Sequence, residues 1–223
     1  PTPTTPSPTT PTTPTPTTPT TPVPTQADGT IVSNFDVNQY LFPGSVIPES
    51  SASEPSGNFR FTCGMSHLGY DDPIVYPGQP GLSHLHMFFG NKLTNAYSTY
   101  DSLRTTGDSS CDGGPVNRSG YWTPAVFNAQ GKVVAPNFIS VYYKGPGQDA
   151  QGKLVDTATL AAGLRMIAGY NMSNPGADTN FEWYCDINQV KQQTIPHCAG
   201  NEQVGVHLTF PTCWDGRLDS SDH

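Results

Sequence analysis

The chain has 223 residues, with 18 Asp and Glu against 10 Lys and Arg, for a formal charge of −8. The few cations are scattered, so there is no basic patch to neutralise phosphates, which argues against nucleic acid and anionic membranes as partners. No apolar run approaches the roughly 20 residues of a membrane-spanning helix.

The first 25 residues are proline or threonine except for Ser7 and Val23, and all of the charge lies after them. Proline fixes φ and removes a donor, and the segment has almost nothing apolar to bury. Residues 1–25 are therefore expected to be an unfolded linker, extended at about 3.1 Å per residue and reaching about 75 Å. Threonine beside proline also suits O-glycosylation. Spacers of this kind separate binding from catalytic modules in secreted polysaccharide-degrading proteins. By analogy, the chain is expected to be extracellular, with a carbohydrate-binding or other module upstream; a cell-wall stalk is the alternative. Residues 26–57 read as an irregular lead-in and 58–223 as one β-rich globular domain.

In that domain, apolar residues come in short bursts between glycines and prolines. Residues 59–62, 83–89, 121–127, 132–134, 138–143, 181–185 and 204–210 are predicted strands, rich in aromatic and β-branched side chains. Asn128 to Gly131 is a predicted hairpin turn. A short helix is predicted over 98–104, capped by Ser98 or Thr99. A second is predicted over 156–162, leading into 164–168, which reads as either strand or helix. The predicted fold is mainly β, a sandwich or jelly-roll with long loops and one or two short helices, stapled by disulfides.

Five cysteines stand at 63, 111, 185, 198 and 213, with no C-x-x-C pair. That spacing is not a zinc ribbon or a redox dithiol, and in an extracellular chain it reads as structural disulfides. The odd count leaves one cysteine free, paired between chains, or separated from its partner by truncation. The abrupt stop after a dense motif favours truncation.

The strongest candidate for chemistry is Ser83-His84-Leu85-His86-Met87-Phe88-Phe89-Gly90-Asn91. On a strand His84 and His86 share one face and Leu85, Met87 and Phe89 take the other. Two imidazoles so placed can share a divalent metal ion or flank a substrate as acid–base groups. Gly78 and the two histidines match the opening of a cupin metal motif, but Gly90 and Asn91 occupy the window where its glutamate belongs. His207, on the last predicted strand, is the candidate third ligand. Asp222 and His223 could complete a catalytic set. His67 is a further candidate, and His197 reads as solvated. Among the acids, Asp71, Asp72, Asp101, Asp215, Asp219 and Asp222 are candidates, although Asp71-Asp72-Pro73 and Asp215-Gly216 read more simply as turns. Tyr121, Trp122, Asn91 and Trp214 are the candidate substrate-binding residues, because flat aromatic faces bind sugar rings. Tyr142 and Tyr143 must point to opposite faces, and a phenol beside an imidazole would suit a lyase.

Several blocks occur together in order: Asp72-Pro73-Ile74-Val75, the Ser83–Asn91 block, Tyr121-Trp122-Thr123-Pro124-Ala125, Gly163 to Gly169, Phe210-Pro211-Thr212-Cys213-Trp214-Asp215-Gly216, and Leu218 to His223. Over roughly residues 58–223 the chain resembles the domain-of-unknown-function family nineteen ninety-six, secreted proteins of bacteria and filamentous fungi. The resemblance implies a polysaccharide or cell-wall setting, since members are often joined to carbohydrate-binding or cell-wall modules. It implies no established activity. It also implies a longer domain, with a further cysteine and histidine after the Asp-His block. The resulting expectation is a secreted carbohydrate-active domain, a hydrolase or lyase if it is an enzyme; a non-catalytic glycan-binding or adhesion module is the alternative.

Overall fold

The computed structural model describes residues 58–145, 147–153, 155, 160–169 and 180–218. Among the described residues seven strands run in chain order: β1 (Asn58–Cys63), β2 (Met65–Gly69), β3 (His86–Gly90), β4 (Gly120–Pro124), β5 (Ile139–Lys144), β6 (Phe181–Cys185) and β7 (Val204–Leu208). The one α-helix among the described residues, α1 (Tyr100–Thr105), precedes a 3-10 turn at Gly114–Val116. All strand pairing is antiparallel: β1 with β5, β3 between β2 and β4, and β6 with β7. The mainly β architecture expected from the sequence is observed.

β3 is central, which explains why His86 to Gly90 are all buried. Strands covered on both faces read as continuous apolar runs. Met87 and Phe89 point into a core shared with Phe61 and Cys63 of β1 and with Cys111. Tyr121, Ile139 and Val141 pack against that cluster, so the β1–β5 ribbon and the three-stranded sheet face each other across it. A disulfide joining Cys63 to Cys111 closes the same core, and a second joins Cys185 at the end of β6 to Cys198. Cys213 is free and exposed.

The predicted strands differ from the observed ones at several points; those predicted over 121–127 and 204–210 end early, at Pro124 and Leu208. β3 begins at His86 and not at Ser83, because the Ser83 hydroxyl donates to the His84 carbonyl at 2.9 Å and bends the chain locally. β2 was not predicted, since Met-Ser-His-Leu-Gly is short and lies between glycines at 64 and 69. Residues 132–134 are not a full strand. They close the Asn128–Gly131 turn through a bridge between Phe127 and Val133, with Asn128 Oδ1 accepting from the amides of Gln130 and Lys132.

Helix α1 forms where predicted, and Thr99 is its cap. The Thr99 hydroxyl accepts from the Ser102 amide while the Ser102 hydroxyl accepts from the Thr99 amide. The second predicted helix falls partly outside the described residues. Residues 164–168 are neither strand nor helix; they are tied to the rest by the Arg165 amide donating to the Leu218 carbonyl at 2.9 Å. No helix among the described residues is long and apolar enough to cross a membrane.

Candidate functional site

Pleating sends alternate residues of β3 to opposite sides. The side away from the Met87–Phe89 core carries His86 and Phe88. On the neighbouring strands, Trp122 lies opposite Phe88 on β4 and His67 lies opposite it on β2. The rings touch in sequence. His67 stacks flat on Phe88 with centroids 4.7 Å apart, and Trp122 and His86 each lie 6.1 Å from Phe88, the latter edge-on. His84 then meets His86 at 4.4 Å. The two histidines singled out by their i, i+2 spacing are therefore brought together, although His84 lies just outside the strand.

They are not equivalent. His86 is 3 % exposed, whereas His84 is exposed. The Asp71 carbonyl lies 2.8 Å from His86 Nδ1 and can only accept, so Nδ1 carries the proton and Nε2 the lone pair. Burial holds the His86 pKa below its usual value; the Asp71 bond opposes this and the neighbouring His84 adds to it. A backbone carbonyl orienting an imidazole in this way is the arrangement that commonly supports a metal-ligating histidine.

Asp72 organises the adjoining wall. One carboxylate oxygen accepts from the amides of Ile74 and Val75 at 2.9 and 2.8 Å, and the other accepts from Trp122 Nε1–H at 3.3 Å. The turn role expected for Asp72 is observed, and the same buried carboxylate also orients the indole beside the histidines. Its sequence signal was confined to the Asp-Pro turn, because nothing local reveals a partner 50 residues away.

The other candidate residues are dispersed. His207 lies on β7 with Nδ1 3.6 Å from Glu182, whose carboxylate also pairs with Lys191 at 2.6 Å. Among the described residues no group of three or more His, Cys, Asp or Glu is placed to hold a metal ion, so His207 does not join His84 and His86 in one. Asp222 and His223 lie outside the described residues. Tyr121 points to the opposite face from Trp122. Its phenol meets that of Tyr143 at 3.1 Å, and burial pushes its pKa up. Tyr143 is thus paired with a phenol where a lyase arrangement would want an imidazole. Asn91 is fully buried and its amide is taken up by backbone groups, leaving no surface for a ligand. Trp214 is 46 % exposed, with Nε1–H donating to the Arg217 carbonyl at 2.5 Å. Asp215 is the turn residue its Asp-Gly pair suggested, accepting from the Arg217 amide. A depression of about 400 Å³ lies elsewhere, lined by Phe59, Arg60, Phe61, Asp112, Val116 and Asn117 among others.

A family model described as a domain of unknown function, DUF1996, matches residues 72–223. The matched span includes His84, His86, Asp72 and Trp122, while β1 and β2 precede it. No curated protein matches the chain, and no solved structure does.

Proposed function

The chain belongs to the DUF1996 family, and from that premise we propose that it is a secreted carbohydrate-active domain working on or at a polysaccharide or cell-wall surface, with a site centred on His84 and His86. One observation carries this reading: two imidazoles lie 4.4 Å apart, one exposed and the other buried on the same sheet face as an indole whose edge is held by Asp72. A sugar ring stacked on Trp122 would be presented to the histidine pair. His86 Nε2 offers a lone pair at neutral pH, and His84 reaches solvent. The two can act as acid–base partners, or supply two imidazole ligands to a divalent metal ion and leave its other positions open. Asp222 and His223 are the further groups that would complete the site. The Pro/Thr linker and the two disulfides support an extracellular setting.

A non-catalytic glycan-binding module is the second reading. It is favoured by Trp214, which is half exposed and has its ring nitrogen tied down by Arg217. The deciding experiment measures binding to, and product release from, a panel of insoluble and soluble polysaccharides. The parent protein is compared with His84→Ala/His86→Ala and Trp122→Ala, with metal content determined in parallel. Turnover lost in the double histidine variant supports the first reading. Binding without product in the parent, unchanged in the histidine variant, supports the second. Neither binding nor turnover on any polysaccharide would overturn both.

A further inference from the structure

We propose that Ser66 and His67 form a separate reactive centre, a serine nucleophile with its own base, that takes the acyl group from a carboxylic ester. Consecutive side chains on a regular strand point to opposite faces, so a serine and a histidine adjacent in sequence do not ordinarily meet. β2 departs from that rule. Its register against β3 shifts between Met65 and His67: Met65 lies opposite Phe89, and His67 lies opposite the very next residue, Phe88. Ser66 is the extra residue. A bulge bends its strand and re-aims a side chain, and here the Ser66 hydroxyl comes to 2.8 Å from His67 Nδ1.

The rest of the ring is fixed in a way that suits a base. Nε2 lies 2.9 Å from the Thr94 carbonyl, which can only accept, so Nε2 carries the proton and Nδ1 turns its lone pair to the hydroxyl. Phe88 clamps the imidazole flat, with an interplanar angle of 3°. Nucleophile, base and an acceptor that orients the base stand in one line, which is the logic of serine-based acyl transfer. β2 is an edge strand, Ser66 is only partly buried, and the neighbouring Met65 and Leu68 are exposed. An ester with a short apolar acyl group fits that setting.

The steps balance without a cofactor. Ser66 Oγ bonds to the ester carbonyl carbon as its proton passes to His67 Nδ1, and the Thr94 carbonyl faces the positive ring. The carbon–oxygen bond to the alcohol then breaks, and the alcohol leaves with that proton. Water attacks the acyl-serine and gives a proton to Nδ1. The acid departs as Ser66 Oγ takes the proton back. The net change is ester plus water to alcohol plus carboxylic acid.

This centre does not depend on the polysaccharide reading; a protein that labels at Ser66 and binds no glycan would keep one and lose the other. The test exposes the full chain to a fluorophosphonate probe, maps the adduct by mass spectrometry, and follows p-nitrophenyl acetate hydrolysis. The expected result is an adduct on Ser66, none in Ser66→Ala, and hydrolysis lowered by about a hundredfold or more in Ser66→Ala and in His67→Gln. Ser66→Ala removes a single oxygen from an edge strand, and its thermal unfolding is measured beside it to show that it folds. A folded parent with no adduct on Ser66, or hydrolysis unchanged in folded Ser66→Ala, overturns the proposal.

Discussion

Replacing Asn91 by alanine separates a structural clamp from a ligand contact. The Asn91 side chain donates from Nδ2 to the carbonyls of Leu103 and Thr106, at 3.1 and 2.9 Å, and accepts at Oδ1 from the Leu93 amide at 2.9 Å. Two of these partners belong to the C-terminal end of α1, where carbonyls have no partner within the helix. The third closes the turn that follows β3. Gly107, at φ +79°, leaves room for the amide, since a Cβ there would sit 2.4 Å from Asn91 Oδ1. Alanine would forfeit all three bonds and leave partly buried backbone groups without partners, at about 1–3 kcal/mol for each group left unsatisfied. Because Thr106 and Leu93 are both exposed, water can make up much of what those two groups lose, and the summed loss is about 2–4 kcal/mol. For a domain of this size that lowers the midpoint by roughly 4–16 °C. Thermal unfolding by circular dichroism, with polysaccharide binding measured at a temperature where the variant stays folded, is the assay. A midpoint within about 1 °C of the parent, or binding lost from the folded variant, would refute the clamp.

Cys63→Ala/Cys111→Ala removes a link closing a loop of 48 residues, worth about 4 kcal/mol by chain entropy; denaturant unfolding should show a loss of that order. His86 has its pKa held below the usual 6.5 by burial, so the unfolded chain takes up a proton first as the pH falls. Its contribution to stability is whole above about 6.5 and is lost as the pH drops from there toward the folded value. His86→Asn should therefore flatten the pH dependence of stability just below 6.5, as read by denaturant unfolding across that range. Gly90→Ala should fail to give folded protein: at φ +77° a Cβ would lie 1.9 Å from the Ser119 carbonyl oxygen, a backbone atom just before β4 that accepts from the Asn91 amide. Soluble yield and circular dichroism check it.

Local chemistry determined much of this protein from its sequence. Residues 83–89 read as a strand whose alternation separates an apolar from a histidine-bearing face, and β3 keeps that alternation from His86 onward, because it follows from backbone geometry alone. Thr99 and Ser102 carried their capping box, and Asn128 its turn, within four residues. The five cysteines signalled disulfides without naming pairs. What escaped the sequence lay in contacts between distant segments. Asn91 and Trp122 were equal candidates for binding a ligand, yet the return of α1 buries one, while β4 places the other beside the histidines. Tyr121 and Trp122 were grouped as neighbours, and the sheet sends them to opposite sides. Asp72 looked like a turn residue until β4 brought an indole to it. The meeting of Ser66 with His67 required a bulge that exists only because β2 pairs with β3 out of step. Hydrogen bonding over three or four residues is written in the order of side chains; the choice of partner across 50 residues depends on which faces pack together, and only the tertiary structure decides that.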